Sequence, residues 1–314
     1  MLSYRHSFHA GSAADVLKHS ILVYCLEYLT QKEKGLLCAD THAGAGLYQA
    51  GGDEWKKGMG RLLDYQKKTG NYPAWAAGYM KLANQNDCRM YPGSPILMAQ
   101  FLRRQDRLVC FELHPKDFAD LENNMKTFKL TGKISGAGAE TGAGTAGMEN
   151  RGRPSIQTRR EDGPASLESL LPPQSGRGLV LIDPSWEEKE EYASIPNYVK
   201  AALKRFPQGT YIIWYPMLLN QKVRFADNDS IGTCLFKCFD VSRCRIELYD
   251  PELKSGIRSP RGMYGSGLVI FNPPWTLKNA LDEIMPYLSG ALMDNGKWNL
   301  EWTEKCNKTP VQGS

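Results

Sequence analysis

Residues 178–182, Gly-Leu-Val-Leu-Ile, form an unbroken apolar run closed by Asp183, Pro184, Ser185 and Trp186. A run of this kind, bounded by Arg177 before and Pro184 after, predicts a strand buried on both faces of a parallel sheet. Comparable runs at 35–40, 107–113, 209–216, 244–249 and 267–271, with a shorter one at 156–160, bring the expected total to about seven strands. Helical periodicity alternates with them. Val16, Leu17, Ile21, Leu22, Cys25, Leu26 and Leu29 recur at helix spacing from about Ala13, with Ser12 as N-cap, and residues 95–104, 166–171 and 195–204 read as further helices. Interleaved helices and buried strands predict an α/β fold with a mostly parallel sheet, its last two strands close enough to form a terminal antiparallel hairpin.

Two stretches interrupt this rhythm. About sixty residues separate the first two strands, more than one crossover helix needs, and amphipathic patterns at 55–67 and 75–84 predict a small helical insertion over residues 49–95. The catalytic α/β domain would then comprise residues 1–48 and 96–314. Residues 131–154 are rich in Gly and Ala with almost no large apolar side chains, and are read as a surface loop within that domain. Their resemblance to a dinucleotide loop is superficial, because no apolar strand precedes them.

Composition narrows the class only modestly. With 314 residues and 42% hydrophobic content the chain can bury a large core, and its net charge of +5 suits a nucleic-acid partner without requiring one. Eight cysteines without a CxxC pair point to a reducing compartment. The first residues lack the apolar core of a signal peptide and no stretch reaches the length of a membrane span, so a soluble, cytoplasmic protein is expected.

The candidate chemistry gathers at the ends of the strand-like runs, where open α/β sheets place ligands. Asp183, Pro184, Ser185 and Trp186 offer an acceptor, a rigid turn and a flat aromatic, a receptor for an amino-bearing planar ring. Asp40-Thr41-His42-Ala43-Gly44-Ala45-Gly46 is a strand end running into a Gly-x-Gly turn, a candidate cofactor cradle in which a following helix would aim its dipole at a ligand. Glu112 closes the second strand, the usual place for an acceptor of ribose hydroxyls. His6 and His9 have an HxxH spacing, but no Cys or carboxylate joins them at metal-ligand spacing, and no metal is expected.

Taken together, MLSYRHSFHAGSAADVLKH at the N-terminus, DTHAGAG at 40–46, YPGSP at 91–95, ELHP at 112–115, RGLVLIDPSW at 177–186, GTYIIWYP at 209–216 and GMYGSGLVIFNPPW at 262–275 resemble the RlmJ-type 23S ribosomal RNA adenine-N6 methyltransferases. The resemblance implies a Rossmann-like class I fold and S-adenosyl-L-methionine as cofactor, with S-adenosyl-L-homocysteine as product. It implies that His19, His42, Ser94, Glu112, Asp162 and Gly163 line the cofactor pocket beside Gly44 and Asp183, with Glu112 on the ribose and Asp162 on the cofactor's adenine amine. Tyr4, His6 and Lys18 would face the target nucleotide, and Asp183, Pro184, Ser185 and Trp186 would receive its base, Trp186 by stacking. The implied partner is 23S ribosomal RNA, protein-free or in an early assembly intermediate, acted on by a monomer. The chain departs from the family in reading Asp-Pro-Ser-Trp where DPPY is usual, which removes the rigidity of a second proline, and in placing Ser12 where asparagine is usual. Asn272-Pro273-Pro274-Trp275 is a rival copy of the tetrad. Other targets, DNA adenine or guanine N2, and a catalytically silent RNA-binding role are the alternatives.

Overall fold

The computed structural model describes residues 9–71, 73–83, 89–131, 154–219, 230–237, 239–256 and 262–305. In chain order the elements are α1 (Ala13–Leu29), β1 (Leu37–Asp40), β2 (Leu47–Gln49), α2 (Asp53–Trp55), α3 (Arg61–Thr69), α4 (Ala77–Ala83), β3 (Met90–Pro92), α5 (Ser94–Phe101), β4 (Arg107–Phe111), α6 (Pro115–Thr131) and β5 (Ser155–Arg159). They continue with α7 (Gly163–Leu170), β6 (Gly178–Ile182), α8 (Lys189–Arg205), β7 (Thr210–Leu218), α9 (Ile231–Lys237), β8 (Arg243–Tyr249), α10 (Pro251–Lys254), β9 (Met263–Phe271), α11 (Leu277–Leu292) and β10 (Lys297–Thr303).

The main sheet has eight strands in the order β10-β8-β9-β7-β6-β1-β4-β5. The five strands β7, β6, β1, β4 and β5 are parallel, and β9, β8 and β10 follow antiparallel. This is a Rossmann-like α/β sheet with one strand added at its edge. Each face carries its own apolar layer. Alternate residues of the central strands, Leu181 and Ile212 among them, join a core with α1, α5 and α11, while Val180, Ile182 and Ile213 join a second core with α7 and α8.

The expected count of about seven strands misses β10. Its residues alternate in exposure, Trp298, Leu300 and Trp302 lying on the first core while Lys297, Asn299 and Glu301 face outward. Helix α8 begins six residues before its expected start at 195, because Pro196 within it disguises the period. Over residues 49–95 the helices arise as expected, closed at the base by the antiparallel pair β2 and β3. Met59, Leu62, Trp75 and Tyr79 share one core with Leu17 and Ile21 of α1 and Leu281 and Leu288 of α11, so the segment has no separate interior. A π-helical turn at Lys56–Gly60 abuts the start of α1, where Met59 N donates to Gly11 O at 2.8 Å. A Cβ on Gly58 would stand 2.2 Å from Gly11 O, so only glycine allows this approach.

Two features of the topology position the site. Strand order reverses at β1, which lies between β4 and β6, and the carboxyl ends of those strands form the ligand-binding edge of such a sheet. Strand β9 runs the other way. Phe271 is paired with Tyr211 near the start of β7, so Asn272 and the exposed Trp275 lie at the edge opposite Asp183. The two tetrads therefore do not share a site.

Candidate active site

The strand tips at the carboxyl edge are tied to one another before any ligand is considered. Thr41 N and Oγ1 both donate to Leu181 O at 3.1 Å, Ala43 N to Phe111 O at 2.8 Å, and Glu112 N to Arg159 O at 3.1 Å. These bonds extend the sheet past β1, β4, β5 and β6 and fix the backbones that carry Asp40, His42, Glu112 and Asp183.

Lys18 enters from the opposite layer. Ser12 caps α1, its side chain accepting from Asp15 N, and Asp15 accepts in turn from Gly11 N at 2.9 Å. One turn on, the Lys18 ammonium reaches Asp15 at 2.8 Å and also forms an ion pair with Asp183. Lys18 is 3% exposed. Burial disfavours its charge, but the two carboxylates more than offset that cost and raise its pKa, so the ammonium persists. The pair fixes the direction of the Asp183 side chain.

His42 and Asp40 respond oppositely to the same burial. Burial lowers the His42 pKa to about 4. His42 Nδ1 lies 2.8 Å from Thr41 Oγ1 and 3.3 Å from Asp183 N, so the ring is held between the tips of β1 and β6. Asp40 is fully buried and its pKa is pushed up to about 7, an effect moderated by the Ser94 hydroxyl and the His42 amide. Its Oδ2 has no hydrogen-bond partner among the described residues.

Glu112 is only partly buried, and both its oxygens are oriented by backbone amides: Oε2 accepts from Gly44 N at 2.8 Å and Oε1 from His114 N at 2.7 Å. Burial raises its pKa. Gly44 and Gly46 have φ of 57° and 75°, as a tight turn demands. No helix follows them. The chain enters β2 instead, so the cradle consists of the turn and Glu112, without a helix dipole. Asp162 is exposed and caps α7, its Oδ1 accepting from Ala165 N at 3.1 Å. A Cβ on Gly163 would lie 2.2 Å from Thr41 O, so glycine is what lets α7 close against the β1 tip.

In the Asp-Pro-Ser-Trp turn, Ser185 replaces the rigidity of proline with hydrogen bonds. Its hydroxyl donates to Glu191 Oε2 at 3.2 Å and accepts from Glu187 N at 3.3 Å, fastening the turn to α8. Trp186 corrects the stacking expectation. Its backbone is left-handed, with φ of 56°, which turns the ring into the second core against Tyr192. The side chain is 3% exposed and its Nε1 donates to Trp214 O at 2.9 Å. Trp186 anchors the turn and presents no open face to a base.

The family model described as ribosomal RNA large subunit methyltransferase D, RlmJ, matches residues 33–152 and 146–304. The chain belongs to this family. It is 36% identical over 318 residues to ribosomal RNA large subunit methyltransferase J of Haemophilus influenzae, covering 96% of this chain and 99% of that protein. It is 33% identical over 302 residues to the protein of the same name from Escherichia coli, covering 94% and 96%. A crystal structure of a Legionella pneumophila protein superposes with a TM-score of 0.75 at 31% identity, over 95% of this chain and 99% of that one.

S-adenosyl-L-methionine is the cofactor of this RlmJ-family chain, and the tips fit it: Glu112 is an oriented, part-exposed acceptor, and Asp40 adds a buried oxygen lacking a partner. His42, Gly44, Glu112, Asp162, Gly163, Lys18 and Asp183 lie along one edge. Ser94 joins them through Asp40. His19 is 1% exposed, stacks on Tyr91 and shares a 2.7 Å hydrogen bond with its hydroxyl, which places it beneath the edge. Tyr4 and His6 lie outside the described residues. Among the described residues no cluster of His, Cys, Asp and Glu has the makings of a metal site, and no helix is long and apolar enough to cross a membrane. Sequence reasoning passed over Asp15, Asp40 and Trp214. Asp40 had a visible signal, a carboxylate closing the first strand, whereas Asp15 becomes meaningful only through the ion pair of Lys18 with Asp183.

Proposed function

We propose that this protein methylates the exocyclic N6 amine of an adenine in large-subunit ribosomal RNA. The observation that carries the reading is Asp183, a carboxylate at the β6 tip held by the buried Lys18 beside the strand-order reversal. An adenine amine is a weak nucleophile because its lone pair is delocalised into the ring. Hydrogen bonds from its two protons to Asp183 and to the Pro184 carbonyl favour a pyramidal nitrogen and orient its lone pair, and a positioned, partly desolvated site makes such contacts effective. When bound, S-adenosyl-L-methionine supplies the electrophilic methyl group. Glu112 and the Gly44 turn hold the ribose side of the cofactor site, Asp162 takes the cofactor's adenine amine, and Lys18 orients Asp183 to accept. A base paired in a helix hides N6 in the stack, so the substrate is a single-stranded or extruded adenine. Tyr4 and His6, which the resemblance assigns to the target nucleotide, lie outside the described residues. The substrate form is protein-free RNA or an early assembly intermediate, and the protein acts as a cytoplasmic monomer.

The test is to incubate the protein with unmodified 23S ribosomal RNA transcript and with duplex DNA, each with isotopically labelled S-adenosyl-L-methionine, and to map any label. Label at one N6-methyladenine of the RNA is the expected result. Label on DNA alone, on guanine N2, or on neither polymer despite cofactor binding overturns it.

A further inference from the structure

We infer that Trp214, rather than Trp186, is the aromatic platform for the methyl-accepting base, an inference that rests on the reading of Asp183 as the base acceptor. Trp186 is removed from the role by its burial and by the hydrogen bond of its indole. Register supplies the replacement. Leu181 is paired with Ile212 and Ile182 with Ile213, so Asp183 and Trp214 stand next to each other one step beyond. Leu181 and Ile212 both face the α1 layer, and two residues further along each strand Asp183 and Trp214 return to that face. Lys18 of α1 joins them: its Nζ is paired with Asp183 and lies 6.0 Å from the centroid of the Trp214 ring.

Trp214 is half-buried and packs against both cores, so its position is set by packing while part of the residue stays accessible. Its Nε1 is buried without a hydrogen-bond partner among the described residues, so the indole is not held in place by a polar contact of its own. Its backbone carbonyl takes the Trp186 indole, which couples the position of the platform to the turn carrying Asp183. A flat surface beside a fixed acceptor meets the two needs of an extruded base, a stacking face and an edge contact.

The experiment compares Trp214→Phe, Trp214→Leu and Trp186→Phe in the full chain. Methyl incorporation into unmodified 23S transcript is measured as kcat and KM, and S-adenosyl-L-methionine affinity by calorimetry. Loss of a stacking face is worth roughly ten- to a hundredfold. Trp214→Leu should lower kcat/KM for RNA by that factor with unchanged cofactor affinity, while Trp214→Phe, which keeps a face and gives up only an unused N–H, stays within about threefold of wild type. Trp186→Phe, which loses the indole hydrogen bond coupling the turn to the platform, should lower kcat/KM by less than Trp214→Leu does. If Trp214→Leu fails to fold, Trp214→Met replaces it as the non-aromatic variant. Unchanged kcat/KM in the non-aromatic variant, its loss together with cofactor affinity, or an equal loss in Trp214→Phe overturns the assignment. Asp183→Ala run in parallel separates the two readings: full turnover by that variant removes the base acceptor itself, whereas its inactivity beside an unaffected Trp214→Leu removes only the platform.

Discussion

Lys18 and Asp183 stand 165 positions apart in sequence and form one buried ion pair between α1 and the tip of β6. Asp15 shares the same ammonium. The arrangement makes the two ends of the pair unequal, because Lys18 has a second carboxylate to fall back on.

Asp183→Ala should therefore fold, since Lys18 keeps Asp15, and should lose methyl transfer by about a hundredfold or more, the scale for removing one oriented polar group at a reacting centre. Lys18→Met leaves two carboxylates facing one another without their cation, and should cost about 3–5 kcal/mol of stability as well as activity. Thermal unfolding beside labelled-methyl assays checks both. A Lys18→Met protein as stable as wild type would show that the ion pair does not hold the site together.

Glu112→Ala should weaken S-adenosyl-L-methionine binding about tenfold or more, the worth of a hydrogen bond to a charged acceptor. It also strands the amides of Gly44 and His114 that its carboxylate now accepts from. Calorimetry showing wild-type affinity would remove Glu112 from the ribose position.

Asn272→Ala should destabilise without touching turnover. Its side chain donates to Pro207 O at 2.8 Å and Gly209 O at 2.7 Å from a left-handed backbone with φ of 49°. Losing those bonds and placing alanine there should cost about 1–3 kcal/mol. Methyl transfer at a temperature where the variant is folded should match wild type, and its specific loss would return the rival tetrad to contention.

Stability against pH should reveal two opposing groups. Asp40 has a folded pKa near 7 against an ordinary 3.8, so rising pH ionises it first in the unfolded chain and stability falls through that window. His42 has a folded pKa near 4 against an ordinary 6.5, so falling pH protonates it first in the unfolded chain and stability falls in the opposite direction. Relative to wild type, Asp40→Asn should gain stability as pH rises from 4 to 6.5, and His42→Gln should lose it, each by at most about 1.4 kcal/mol per pH unit, the limit for one proton. Denaturant titrations across that range check the signs, and parallel curves for all three proteins would refute the assignment.

How much of this was legible in the sequence depended on how local its cause was. The run from Gly178 to Ile182 and the acid that closes it announce a buried strand with a polar tip, because burial on both faces admits no other pattern. Glu112 was legible for the same reason. Trp186 misled because its letter promises a stacking face, whereas its fate was set by one backbone angle and by a hydrogen bond to Trp214, neither of which composition displays. The Gly44 turn looked ready to start a helix and entered β2 instead, since its partner, β3, lies more than forty residues downstream. Strand β10 carried a readable period-two alternation of Trp298, Leu300 and Trp302, but an edge strand has no continuous apolar run to draw notice.

The sharing of one interior by α1 and α11 sets the timetable of synthesis. Leu17 and Ile21 are made early, while Leu281 and Leu288, which cover the same core, follow more than 250 residues later. Strand β7 likewise waits for β9 before its second edge is paired. A growing chain can lay down the parallel strands early, but the layer that seats Lys18 against Asp183 closes only once α11 has been made. The helix that completes the layer over Lys18 is thus made long after Lys18 itself.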